Sequence, residues 1–334
     1  MLVLLSSAVR TRYKDDVLRC LSAPVGGTLR LRYRKDLIEP GLVDGKGCGE
    51  AIICFLNTAD SLIVPIRSAI VTATHLHGST ASVDVRLGEF VENRDLTAVQ
   101  RQLFGGKDYA SPTFQEDNVV LKSGFLFFET SSNITIMKSR NVEVWEEIVN
   151  TLAKMPQFSS ERYFWTVLGL RHEIQEPGET NFFSSLPEGG VKARSNYRLL
   201  TYHYHPDLPL PTEPGEPLAL LHGDCLELQG PSELCVDSAY DLKEFVVRTT
   251  NNSFGTRGSW IRIGPKDHMI LDIEISVRGE KWRSLIVALA IAGALFAQSV
   301  LAPSEMPSAG KIVLIGLLST IVGCAAVFGI RRDL

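Results

Sequence analysis

The chain has 334 residues, 45% of them hydrophobic and 22% charged, a folding composition with room for two domains of ordinary size. A formal net charge of −4 excludes a generally basic nucleic-acid binder. Six cysteines in a chain this long exclude a disulfide scaffold.

The amino terminus, MLVLLSSAVR, has a four-residue apolar run, Leu2 to Leu5, with no basic segment before it. A secretory signal needs an apolar core of roughly 7–15 residues. Residues 1–280 are therefore expected to stay in the cytosol, with reduced cysteines. A short helix is predicted over 14–21. Beyond it Leu29, Leu31 and Tyr33 alternate with Arg30, Arg32 and Arg34, the period-two mark of a half-buried strand. Residues 1–35 carry Arg10, Arg12, Lys14, Arg19, Arg30, Arg32, Arg34 and Lys35 against only Asp15 and Asp16. Arg30, Arg32 and Arg34 share a strand face. Together with Lys35 they form the candidate surface for an anionic ligand, a lipid headgroup or an acidic partner. Acidic cross-strand neighbours would instead make them an ordinary solvated face.

The stretch GLVDGKG at 41–47 lacks the spacing and the Ser/Thr of a phosphate-binding P-loop, and 44–50 reads as a hairpin connection. Strands are predicted at 51–56, 61–73, 83–87 and 124–129, with a long polar loop over 92–118. Val142, Trp145, Ile148, Val149 and Leu152 follow helical spacing, with Asn141 as N-cap and Pro156 ending the run. A strand follows at 163–170. The turn-rich stretch 176–190 is expected to link a β-rich domain, 1–175, with one or two helices, to a second domain, 191–280. The second domain has strands predicted at 197–205, 218–221, 244–249, 260–263 and 271–277. In the last of these Leu271, Ile273, Ile275 and Val277 alternate with Asp272, Glu274, Ser276 and Arg278. That density of short strands fits a sandwich, and helices are too scarce for a doubly wound α/β sheet.

Catalytic signatures are weak. His203 and His205 alternate on a predicted strand, as do His75 and His77. They are weak candidates for zinc ligation, with His222, Asp224, Cys225 and Cys235 as further donors of unknown placement. No H-E-x-x-H or paired C-x-x-C accompanies them, and no G-x-S-x-G is present. No metal or other cofactor is expected.

The carboxyl terminus carries the strongest pattern. Residues 285–302 and 312–330 are uncharged apolar runs of 18 and 19 residues. A hydrocarbon core of about 30 Å takes about 20 helical residues. They predict a transmembrane hairpin over 284–334, turning at 303–311, PSEMPSAGK. Arg278, Lys281 and Arg283 precede it and Arg331 and Arg332 follow it, whereas the turn has only Lys311 beside Glu305. The positive-inside rule then makes this a two-span membrane protein with both termini cytoplasmic. Ala288/Ala292, Gly293/Ala297 and Gly316/Thr320 are small-xxx-small pairs that let helices approach closely, and Gln298 is the strongly polar side chain within the spans. The absence of acids, bases and histidines from both runs argues against an ion-coupled transporter.

The sequence thus predicts a mainly β cytosolic region, sandwich-like in its second half, followed by a transmembrane helical hairpin. The expected function is that of a non-enzymatic membrane-anchored sensor or effector. Its β-rich region recognises a ligand or protein and controls association of the hairpin, a plan similar in architecture to prokaryotic stress or antiviral effectors that disrupt membranes. Expected partners are the lipid bilayer and either further copies or another protein, with no sequence-specific nucleic acid. Two alternatives are a membrane-tethered scaffold or subunit of a cytosolic complex and an anchored hydrolase using a histidine or cysteine.

Overall fold

The computed structural model describes residues 1–7, 11–43, 48–57, 62–92, 113–115, 118–120, 125–129, 137–161, 163–173, 182–187, 190–206, 217–236, 238–250, 256–265 and 271–279. Both apolar runs lie outside them, and so do Ala288, Ala292, Gly293, Ala297, Gln298, Gly316 and Thr320. Most of the predicted loop at 92–118 lies outside them as well. No helix among the described residues is long and apolar enough to cross a membrane.

The described chain is mainly β, with two α-helices. Its first part runs β1 (Leu2–Ser7), α1 (Thr11–Ser22), β2 (Thr28–Arg34), β3 (Gly49–Leu56), β4 (Ile63–His77), β5 (Thr80–Val91), β6 (Thr113–Gln115), β7 (Asn118–Val120), β8 (Phe127–Glu129), β9 (Lys138–Ser139) and α2 (Val142–Ala153). The second part runs β10 (Phe164–His172), β11 (Val191–Lys192), β12 (Asn196–Tyr204), β13 (Leu218–His222), β14 (Leu226–Leu228), β15 (Glu233–Leu234), β16 (Tyr240–Thr249), β17 (Thr256–Pro265) and β18 (Leu271–Arg278).

Three sheets carry the fold. The first has the order β2-β5-β4-β3-β1-β8, with β9 on β5. Its one parallel pair is β1 with β3. All six residues of β1 are buried, so it lacks the alternation that marks a half-exposed strand. The other two sheets are β10-β12-β16-β14 and β11-β18-β17-β13-β15. On β18 the predicted alternation holds, with Leu271, Ile273, Ile275 and Val277 buried and the residues between them exposed. Buried side chains from all three sheets form a continuous core.

The stretch 176–190 does not separate the strands of one sheet. β10 precedes it and β12 follows it, yet they pair antiparallel over eight registered positions. Within the stretch, Phe183 is buried with its ring 4.8 Å from that of Phe90, and Leu186 N–H donates to Val25 O at 3.0 Å.

The helices follow from local signals. α2 is capped by Asn141, whose side-chain oxygen accepts from Glu143 N–H at 3.2 Å, satisfying one of the free donors of the first turn. Its stripe Val142, Trp145, Ile148, Val149 and Leu152 is buried. Trp145 Nε1 donates to Leu21 O at 3.1 Å, tying α2 to the end of α1. The predicted helix at 14–21 extends to Thr11–Ser22 and buries Val17, Cys20 and Leu21.

Candidate functional site

Arg30, Arg32 and Arg34 lie on β2, an edge strand paired with β5 on one side. Arg30 stands opposite Asp84 in register and grips it with both arms of its fork, Nε to Oδ1 at 2.6 Å and Nη2 to Oδ2 at 2.9 Å. This bond, more than any other influence, holds the Asp84 carboxyl below its usual range. His75 Nε2 also lies 3.4 Å from Asp84 Oδ2. Arg34 pairs with Asp36 two residues on. It lines a separate hollow with Lys35, Pro40, Ser79 and Phe125. The structure therefore splits the predicted quartet into Arg30 and Arg32 in one place and Arg34 and Lys35 in another.

Arg30 and Arg32 line a cleft of ≈ 580 Å³. One wall is α1, with Asp15, Asp16 and Arg19. The opposite wall is built by Arg262 of β17 and by Leu271 and Asp272 of β18. Glu274 of β18 is also near enough to act on the Arg30 guanidinium. Arg262 reaches Asp272 at 3.1 Å and lies over the Trp260 ring, 4.6 Å from its centre. Arg19 is 3.6 Å from Asp16. Among the described residues Arg32 has no carboxylate partner.

Four guanidinium groups thus line one cleft among five carboxylates, Asp15, Asp16 and Asp272 in the lining, Asp84 on Arg30 and Glu274 close by. Guanidinium forks match the oxygens of phosphate or carboxylate. The Arg262–Asp272 pair is exposed, and such a pair contributes about 0–1 kcal/mol, whereas Arg30 is held bidentately by the half-buried Asp84. Redirecting the Arg262 fork to an incoming oxyanion therefore costs little, and Arg32 has no carboxylate to release among the described residues. Arg19 was visible in the sequence only as part of a basic segment, and nothing marked Arg262. Its place beside β2 comes from the packing of two separate sheets, since β2 pairs with β5 and β17 with β13 and β18.

The histidine pair is placed differently. His203 is buried (2% exposed), with Nε2 3.3 Å from Thr201 Oγ1. Burial lowers its pKa to about 4, with Asp241 opposing and Lys243 adding to the effect. His205 is buried with the Tyr163 ring edge-on at 5.1 Å. Among the described residues no group of three or more His, Cys, Asp or Glu is arranged to hold a metal ion.

A second concavity, of ≈ 480 Å³, lies between the start of α2 and strands β12 and β16. It is lined mainly by tyrosine and aliphatic side chains, with Glu143 and Glu146 on one wall.

The sequence matches no protein-family model, and comparison with curated proteins finds no similar sequence.

Proposed function

We propose that this protein is a non-enzymatic, membrane-anchored sensor or effector. Its β-rich region, sandwich-like over 191–280, binds an anionic ligand in the arginine cleft. That state passes to the two-span hairpin at 284–334, whose helices then associate and disturb the bilayer. Both termini face the cytoplasm. The observation that carries this reading is the composition of the cleft. It joins α1 and β2 at one end of the chain to β18, which ends at Arg278, shortly before the first apolar run begins at 285. A ligand gripping both walls touches the element that feeds the membrane segment, and a link of so few residues transmits displacement better than a long flexible one.

Calorimetric titration of the full-length protein in detergent with inorganic phosphate, pyrophosphate and ATP tests the recognition step. At least one of these is expected to bind, with affinity falling about tenfold or more in Arg32→Glu/Arg262→Glu. The same anion is expected to accelerate dye release from vesicles carrying the wild type and not from those carrying the variant. Equal binding by both proteins, or release indifferent to the anion, would contradict the proposal.

A further inference from the structure

The outer face of β12 and β16 presents two registered pairs, Tyr202 opposite Leu242 and Tyr204 opposite Tyr240. Helix α2 covers the β12 half. Trp145 packs edge-on against the rings of Tyr202 at 5.8 Å and Tyr204 at 6.2 Å. Tyr202 Oη donates to Glu146 Oε1 at 2.5 Å and Tyr204 Oη to Asn150 Oδ1 at 2.9 Å. The β16 half is open. Tyr240 is 69% exposed and Leu242 41%. Between the halves runs the ≈ 480 Å³ groove, which shares no lining residue with the arginine cleft.

Two features give this groove a specificity. Its floor holds large apolar surface in water beside rings already fixed by hydrogen bonds, so little ordering is needed on binding. Among the described residues its lining includes Glu143 and Glu146 and neither lysine nor arginine. A cation entering along the rings would meet carboxylates and aromatic faces together. The chain's own proline-rich stretch at 207–216 has Asp207, Glu213 and Glu216 and no base, so its charge has the same sign as the wall.

We infer that this groove docks an extended segment of a partner protein that combines apolar side chains with an arginine or lysine. The apolar side chains lie over Tyr240 and Leu242, and the basic group reaches Glu143 and Glu146. This surface is separate from ligand recognition in the cleft and stands without it.

The test is selection of a phage-displayed random dodecapeptide library on the full-length protein in detergent, with counter-selection on Tyr240→Ser/Leu242→Ser. Both side chains are exposed, and an unchanged melting temperature confirms that the variant folds. Selected peptides are expected to be enriched in apolar residues together with Arg or Lys. A labelled representative should bind about tenfold or more weaker to the double serine variant. It should bind more weakly, and with less salt dependence, to Glu143→Gln, a variant that leaves the apolar floor intact. Peptides with no preference for the wild type, or acidic ones, would overturn the inference. So would a wild-type dimer that Tyr240→Ser/Leu242→Ser converts to monomer, which would assign the groove to a second copy. Binding that emerges only on deletion of 207–216 would assign it to the chain itself.

Discussion

Arg67 is completely buried in β4 without a carboxylate partner among the described residues. Its Nε donates to Gly88 O at 2.7 Å, and its Nη1 to Cys20 O at 2.8 Å and Ala23 O at 2.5 Å. The guanidinium also lies over the Phe90 ring, 4.4 Å from its centre. Cys20 and Ala23 stand at the end of α1, so the charge meets the negative end of the helix dipole and the carbonyls it leaves open. Burial lowers the Arg67 pKa to about 9, which keeps it charged at pH 7. Arg67→Met would strand these buried carbonyls and should cost about 3–5 kcal/mol in urea unfolding. A loss below about 1 kcal/mol would contradict this role. His203 makes a pH prediction of definite sign. It is neutral when folded, with a pKa of about 4, against 6.5 for the free side chain. The unfolded chain therefore binds the extra proton between these values. Stability from this group is complete above pH 6.5 and falls as pH drops toward 4, by about 3 kcal/mol in all. Urea midpoints at pH 7 and pH 4.5 should differ in the wild type and converge in His203→Gln. Neither role was legible in the sequence. Arg67 reads there as one charge in an apolar strand, and the charges that act on His203, Asp241 and Lys243, come from β16.

Elements were legible where one face meets water. β2, β5 and β18 show their alternation, and α2 shows its stripe, its Asn141 cap and its end before Pro156. β1 escaped because all six of its residues are buried and a short uniform apolar run has no period. Asn141→Ala should destabilise α2 by about 1 kcal/mol, read as a lower urea midpoint with an unchanged slope. The turn before β11 depends on Gly190. Its φ is +94°, and an added Cβ would stand 2.1 Å from Ser276 O on β18. The next residues pair with the end of β18, Val191 with Val277 and Lys192 with Arg278. Gly190→Ala should push β11 off β18 and lower hydrogen-exchange protection at Arg278, with about 2 kcal/mol or more lost overall. Full protection at that amide in the variant would refute that arrangement.

Across the whole molecule, the basic character of the first 35 residues was legible and its division was not. The cross-strand acid for Arg30 was anticipated as an alternative, and Asp84 fills that place. The second wall of the cleft was hidden, because Arg262 and Asp272 reach β2 only through the packing of one sheet against another. The strand-rich character of the second half was legible as strand density. The membership of β10 was not, since a turn-rich stretch of sequence looks like a boundary whether or not a sheet spans it. The central claim is that an anion in the cleft controls association of the membrane hairpin. Native mass spectrometry of the full-length protein in mild detergent tests it most directly, because copy number and bound ligand are read together. The account predicts a defined homo-oligomer carrying a phosphate-class anion. It should revert to monomer when residues 284–334 are removed, and also in Arg32→Glu/Arg262→Glu. A monomer bound one-to-one to a foreign protein would contradict the account, as would an oligomer that keeps its mass in the arginine variant.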